Sequence, residues 1–96
     1  MENTIYLTIL YDYYKSLLTE KQCLYFEDYY FYNLSLSEMA ESYHVTRSAV
    51  NKQINLTIDK LNEYESKLHL YANSLKIKKL IENIPKETKE KIEELI

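Results

Sequence analysis

The feature that most constrains the fold is the absence of glycine from all 96 residues, with Pro85 as the only proline. Tight hairpin turns depend on residues that tolerate positive φ, above all Gly. A chain with so few turn-forming residues is therefore predicted to be all-α, a small helical domain whose helices are joined by short polar turns. At this length there is room for one modest core, and 46% hydrophobic residues are enough to form it.

A helix-turn-helix is predicted from Ser35 to Leu61. Ser35 and Glu38 have the spacing of a capping box that begins its first helix. The apolar residues that follow at helical spacing are Leu36, Met39, Ala40 and Tyr43. His44 marks the turn, where a left-handed backbone costs a non-glycine residue about 1–2 kcal/mol. Val45 is expected to fill the core at the corner.

The second helix is predicted to begin after Thr46, a good N-cap residue. Its inward residues are Val50, Ile54, Ile58 and Leu61. The opposite face, near the N-terminus, carries Arg47, Ser48, Asn51, Lys52 and Asn55. This polar face is the candidate functional site.

The residue types on this face suit nucleic acid. Arg pairs with guanine and Asn with adenine, while Lys and Ser suit phosphate. The first turns of a recognition helix are the part that enters the major groove. The same residues are also common on solvated helix faces. Together with the turn, the caps and the spacing, they favour a nucleic-acid-binding site made of Thr46, Arg47, Ser48, Asn51, Lys52 and Asn55.

Several motifs resemble the YlxM family. They are LTEKQ at Leu18–Gln22 and the tyrosines after it, LSLSEMAE at Leu34–Glu41, VTRSAV at Val45–Val50, and KLNEYESKLHL at Lys60–Leu70. That family consists of small bacterial proteins with a helix-turn-helix similar to the promoter-reading region of sigma factors. Its genes are typically associated with those of the signal recognition particle GTPase, and its members are thought to modulate that pathway.

The resemblance implies a cytoplasmic, all-helical, dimeric binding protein, and it does not imply an enzyme. Two features depart from the family pattern: His44 at the turn and the divergent tail after Ser74.

The charge balance is unusual for a DNA-binding domain. The net charge is -3 and the pI about 5.4, whereas domains that act on duplex DNA are usually basic. The negative electrostatic field of the protein would slow its encounter with the phosphate groups of a nucleic acid. Two ligand classes therefore stay open: DNA or the signal recognition particle RNA, bound weakly or with help from a partner, and a protein ligand such as the particle's GTPase.

Residues for catalysis or metal binding are not apparent. Cys23 is the only cysteine, which excludes an internal disulfide and agrees with a reducing cytoplasm. His44 and His69 are not spaced with Cys or Asp partners for a zinc site. There is no Gly-rich phosphate loop and no nucleophile elbow. We expect no enzyme activity, no metal and no cofactor.

The N-terminal segment predicts a packing helix. Met1 to Thr4 carry no positive charge, so a secretory signal is not expected. The helix from Ile5 to Leu18 is too short to span a bilayer. One apolar face has Leu7, Leu10, Tyr14 and Leu17, and the other has Tyr6, Ile9 and Tyr13. We expect one face to meet the core and the other a second subunit.

A second capping box, Thr19 with Gln22, and a helix end at Asn33 bound the next helix. Its aromatic face consists of Tyr25, Phe26, Tyr29 and Tyr30. Stacking platforms for RNA are one interpretation, but the helical spacing favours a core in which each ring is buried and each hydroxyl stays polar.

A long helix is predicted to run on from the recognition helix. Its seam is Val50, Ile54, Thr57, Leu61, Tyr64, Leu68, Tyr71 and Leu75. The partner for this seam is either the N-terminal helix or a second subunit, so a homodimer is expected. Asn73 and Ser74 are a candidate break. We therefore predict a helix-turn-helix domain with its packing helix over residues 1–74 and a charged helical tail over 75–96, with Pro85 at a helix start.

Overall fold

The computed structural model describes residues 3–96. Met1 and Glu2, which belong to the segment where no secretory signal is expected, lie outside the described residues. The helices are α1 Thr4–Tyr14, α2 Glu20–Tyr30, α3 Leu36–Tyr43, α4 Arg47–Leu68, α5 Leu70–Leu80 and α6 Lys86–Glu93, with a short 3-10 turn at Lys15–Leu17. No strand occurs in this part of the chain, which confirms the all-α fold. α4 contains the recognition helix and also the extension that was predicted to run on from it.

The core lies where α1, α2 and α3 surround α4 between Val50 and Leu61. Its buried residues are Leu7, Leu10, Tyr11, Tyr14, Tyr25, Phe26, Met39, Ala40, Val50, Ile54, Ile58 and Leu61. Tyrosine rings are part of this core, as the helical spacing predicted. Tyr11 stacks on Phe26 with ring centroids 4.5 Å apart, and its hydroxyl donates a hydrogen bond to Glu27. The ring of Tyr11 is thus buried while its oxygen keeps a polar partner.

The first helix is shorter than predicted. It ends at Tyr14, and the 3-10 turn then leads to Leu18, whose backbone is extended. Leu17 lies on this turn and is 50% exposed, so its assignment to the apolar stripe was wrong. The chain has to change direction before the capping box of α2, and the stripe ends there.

The second apolar face of α1 is covered by the same chain. The rings of Tyr6 and Tyr13 both contact the ring of Tyr71 on α5, at centroid distances of 5.9 and 6.1 Å. Tyr6 and Tyr13 are half-buried as a result. Part of the face that was expected to meet a second subunit is therefore covered by α5 of the same chain; the homodimer itself stays a prediction.

The prediction of a continuous apolar seam from Val50 to Leu75 on one helix was also wrong. The helix stops at Leu68 because His69 adopts the left-handed conformation, with φ 55° and ψ 29°. This break precedes the predicted one at Asn73 and Ser74, which lie inside α5. Leu68 and Leu75, the last members of the seam, are 48% and 50% exposed. Among the described residues, no helix is long and apolar enough to cross a membrane.

Candidate nucleic-acid interface

The helix-turn-helix consists of α3, the turn at His44 and Val45, and α4. Both halves of the predicted capping box are present, because Glu38 N–H donates to Ser35 Oγ and Ser35 N–H donates to Glu38 Oε1, each at 3.0 Å. His44 has φ 57° and ψ 44°, which confirms the left-handed turn without glycine. The N–H of Val45 donates to Ala40 O at 3.0 Å and closes the turn.

Thr46 fixes the start of the recognition helix. Its backbone is extended, with φ -81° and ψ 158°, and its hydroxyl accepts a hydrogen bond from Ala49 N–H at 3.0 Å. This is the N-cap that the sequence predicted. Because the cap sets where α4 begins, it also sets which side chains occupy the first turn.

The buried residues of α4 fix the rotation of the helix about its axis, and this determines which side chains face outward. Val50 is fully buried and Ile54 is 3% exposed, so the helix cannot rotate without losing core packing. The predicted site residues are all exposed: Thr46, Arg47, Ser48, Asn51, Lys52 and Asn55. They lie at helical spacing on the side opposite the core.

Three of these residues line one shallow depression. Arg47, Ser48 and Asn51 surround it together with Leu36 of α3, and its volume is about 430 Å³. Lys52 and Asn55 continue along the helix but do not line the depression. Leu36 was expected to face inward, yet it is half-buried and forms the apolar wall of this site. Its position at the start of α3 is the only signal in the sequence for that role.

The local charge at this end of α4 is positive. The first turn contains no acidic residue, and the free N–H groups of a helix N-terminus carry a partial positive charge. Within residues 3–96, neither Arg47 nor Lys52 forms an ion pair with a carboxylate. Both cations are therefore available to an external anion.

The positive region is confined to the first turns of α4. Further along the exposed side of the helix lie Asp59 and Glu63. Glu63 pairs with Lys60 at 3.5 Å and with Lys67 at 3.1 Å, and these two lysines hold its pKa below the usual range. A phosphate backbone would meet acidic side chains there, so the positive region of α4 ends near Asn55.

Val45 does not fill the core as predicted. Its side chain is 39% exposed, and it lines an open groove of about 440 Å³ with Leu24 and Tyr25 of α2. The rings of Tyr25 and Tyr43 stack with centroids 4.5 Å apart and line the same groove as Val45. Tyr43 donates a hydrogen bond to Asp28, which with burial raises the pKa of Tyr43 to about 12.

A buried carboxylate that the sequence interpretation missed holds the far end of α4. Glu65 is 8% exposed. Its Oε1 accepts hydrogen bonds from Tyr14 OH at 2.5 Å and from Tyr71 N–H at 3.1 Å, and its Oε2 accepts one from Ala72 N–H at 3.0 Å. It therefore caps the start of α5 and links that helix to α1. The signal in the sequence was its spacing, four residues after buried Leu61.

The hydrogen bonds that Glu65 accepts favour its charged form. Burial acts to raise its pKa, but the bonds from Tyr14, Ala72 and Tyr71, with the nearby charge of His69, outweigh burial and hold the pKa below the usual value. Burial and the same carboxylate raise the pKa of Tyr14 to about 12. The site is thus a carboxylate with a neutral phenol beside it.

No metal-binding cluster appears in the described part of the chain. Residues 3–96 contain no group of three or more His, Cys, Asp or Glu side chains that could hold a metal ion. Cys23 is half-buried, and its Sγ lies 3.5 Å from Lys15 O.

Comparison with known proteins places the chain in a family. The model of the UPF0122 family, described as "Putative helix-turn-helix protein, YlxM / p13 like", matches residues 1–96. A UPF0122 protein of Bacillus licheniformis is 42% identical over 88 residues, which are 92% of this chain and 82% of that protein. A UPF0122 protein of Lactococcus lactis subsp. cremoris is 40% identical over 86 residues, 90% of this chain and 78% of the relative.

A UPF0122 protein of Ureaplasma urealyticum is 46% identical over 71 residues, 74% of this chain and 72% of the relative. These matches agree with the resemblance drawn from the motifs at Leu18–Leu70. The family description names a helix-turn-helix and no catalytic activity. The chain belongs to the YlxM/p13-like helix-turn-helix family.

Proposed function

We propose that this protein binds nucleic acid, without catalysing a reaction, through the first turns of α4. The observation that carries the proposal is the depression in which unpaired Arg47 lies beside Ser48 and Asn51, at the positive end of an exposed helix. These are side chains that can both hold phosphate and read base edges. Their helix is fixed from below by buried Val50 and Ile54.

In the proposed complex, α4 enters a groove with its N-terminus first. Arg47 and Asn51 contact base edges, while Ser48 and Lys52 contact phosphate oxygens. Each good bidentate base contact contributes roughly 1–3 kcal/mol of discrimination. The major groove of B-DNA admits a helix, whereas that of A-form RNA is too narrow, so an RNA ligand would present a loop or bulge.

The pathway follows from the family resemblance. We propose that the protein is a cytoplasmic modulator of the signal recognition particle pathway, with that particle's RNA or a DNA site as ligand. A homodimer would place two α4 helices on one ligand, as helix-turn-helix proteins commonly do. The acidic net charge of -3 favours a specific structural ligand over general attachment to duplex DNA.

A second candidate function is a protein-interaction module that binds the particle's GTPase. The observation in its favour is the groove between α2 and the turn, with Leu24 47% and Val45 39% exposed. Exposed apolar side chains that line such a groove suit the apolar core of a protein interface. In this mode the helix-turn-helix serves as a scaffold.

The test is binding to labelled signal recognition particle RNA and, in parallel, to random duplex DNA at about 50 and 200 mM salt, a range over which phosphate contacts weaken. The variant carries Arg47→Gln with Lys52→Gln. The matched control carries Lys86→Gln with Lys91→Gln on α6, which removes the same charge from exposed residues paired with Glu90 and Glu87.

We expect the wild type and the α6 control to bind at least one of the two nucleic acids, and the Arg47 and Lys52 variant to lose that binding. Unchanged binding in that variant would overturn the assignment to α4. Absence of binding to either nucleic acid, together with salt-insensitive binding to the GTPase, would favour the second candidate.

A further inference from the structure

Positive charge is segregated onto a second element, α5. No Asp or Glu occurs between Ser66 and Ile81, a stretch that includes Lys67, Lys76, Lys78 and Lys79. The other eight basic residues share the rest of the chain with all 15 acidic residues. The protein is therefore acidic overall but has one basic helix.

We propose that Lys76, Lys78 and Lys79, here called the α5 lysine surface, bind the sugar-phosphate backbone of the nucleic acid that α4 contacts. The inference rests on the proposed function and adds a second contact surface to it. α4 supplies the base-reading side chains, and α5 supplies sequence-independent phosphate contacts.

The α5 lysine surface is available to a ligand. All three side chains are exposed, and none forms an ion pair within residues 3–96. Lys76 and Lys79 share one side of α5, and Lys78 lies about 100° from Lys79 around the helix, on the side away from Lys76. The contrast with other lysines is direct, because Lys60 and Lys67 both pair with Glu63. The α5 lysines also lie in the second half of a helix whose C-terminus favours cations, so their positions are compatible with the fold in the free protein.

The arrangement of α5 fits a polyanion better than a lipid surface. Its inward side consists of buried Ser74 and Ile81 with half-buried Ile77. On the outward side, Leu75 and Leu80 flank Lys76 and Lys79 and do not form one stripe. A helix that inserts into a membrane surface needs a continuous apolar face on its free side, and the exposed Leu75 and Leu80 form no such face, because Lys76 and Lys79 lie between them.

The proposed function needs additional cations. Arg47 and Lys52 are the only basic residues in the exposed first turns of α4. Of these two cations only Lys52 is proposed to contact phosphate, and one such contact gives a salt dependence of binding with a slope of only about -0.9 on B-DNA. Three further contacts would bring the slope to roughly -3.6. The α5 lysine surface is the unpaired set that can supply them.

A ligand must span the length of α4 to contact both its first turn and the start of α5. α5 begins just after the end of α4 that is opposite Arg47, and a helix of 22 residues is about 33 Å long at 1.5 Å per residue. A duplex or a folded RNA can span the distance between the first turn of α4 and the start of α5, whereas an oligonucleotide of a few nucleotides cannot.

The experiment measures affinity for the signal recognition particle RNA and for random duplex DNA by fluorescence anisotropy at several salt concentrations. The α5 variant carries Lys76→Gln, Lys78→Gln and Lys79→Gln. The matched control carries Lys86→Gln, Lys89→Gln and Lys91→Gln, which produces the same net charge from α6, where acidic residues are interspersed. Circular dichroism confirms that both variants remain helical.

We expect the α5 variant to bind at least tenfold more weakly near 50 mM salt and to lose roughly 2–3 from the salt slope, while the α6 control loses less than about 0.5. Equal effects of the two triple variants would overturn the α5 proposal. The RNA and DNA arms show which backbone is bound, since both present the same phosphate chemistry.

The Arg47→Gln with Lys52→Gln variant separates the two proposals. If it abolishes binding and the α5 variant behaves like its control, the proposed function stands and the α5 proposal fails. If binding survives in that variant but is lost in the α5 variant, α5 is the binding surface and the assignment to α4 fails. Absence of nucleic-acid binding by the wild type overturns both, as does α5-dependent binding only to vesicles of phosphatidylglycerol and phosphatidylcholine.

Discussion

The hydroxyl of Tyr14 on α1 donates a hydrogen bond to Glu65 Oε1 on α4 at a distance of 2.5 Å. The same hydroxyl accepts a hydrogen bond from Leu70 N–H at 3.1 Å. Together with the bonds from Tyr71 and Ala72, this pair joins α1, α4 and the start of α5. The direction in which α5 leaves α4, and with it the position of the α5 lysine surface, depends on this buried contact.

Replacing Glu65 with Gln should destabilise the fold by about 1–3 kcal/mol, because the new amide nitrogen cannot accept the hydrogen bond from a buried backbone donor. The measurement is urea unfolding followed by circular dichroism. Glu63→Gln is the control, since Glu63 is exposed and bonds only to lysines. Equal stability of the two variants would contradict a structural role for Glu65.

The lowered pKa of Glu65 predicts acid sensitivity. A carboxylate whose pKa is lower in the folded state stabilises the fold above its unfolded-state pKa of about 4.3, and that contribution disappears as the pH falls through the folded-state value. The free energy of unfolding of wild type and Glu65→Gln should therefore converge between neutral pH and roughly pH 3. A constant difference across this range would show that ionisation of Glu65 does not contribute.

Thr46 is expected to act on stability through its hydroxyl. Thr46→Ala removes the bond to Ala49 N–H and should cost about 1 kcal/mol of unfolding free energy, while Thr46→Ser keeps a capping oxygen and should cost little. The two variants are compared by urea unfolding. If alanine and serine behave alike, the cap does not stabilise α4.

The left-handed backbone of His44 predicts that glycine at this position stabilises the fold. Because its φ is 57°, His44→Gly should raise the free energy of unfolding by about 0.5–1 kcal/mol, as glycine adopts this conformation without a steric penalty. Ser42→Gly, inside α3, is the control and should destabilise by a similar amount. A loss of stability in His44→Gly would show that the imidazole makes contacts that outweigh the backbone strain.

Local signals predicted the caps, the turn and most of the core from sequence. The capping boxes at Thr19 and Ser35 and the left-handed residues at Asn33 and His44 depend on side chains within a few residues of one another. Such short-range interactions can be inferred without tertiary structure.

The errors came from long-range packing. The break at His69 depends on Glu65 meeting Tyr14, which is 51 residues away in the sequence, and helical periodicity carries no information about that contact. For the same reason, the pattern could not show that Tyr71 covers Tyr6 and Tyr13. The candidate site residues followed from helical spacing on α4, but the contribution of Leu36 to their depression depends on how α3 crosses α4.

The central claim is that the first turns of α4 contact nucleic acid, and the most direct measurement is a titration of isotopically labelled protein with signal recognition particle RNA and with duplex DNA, followed by backbone amide NMR. We predict the largest chemical-shift changes at Arg47, Ser48 and Asn51. Shifts confined to the groove at Leu24 and Val45, or no shifts with either ligand, would contradict the claim.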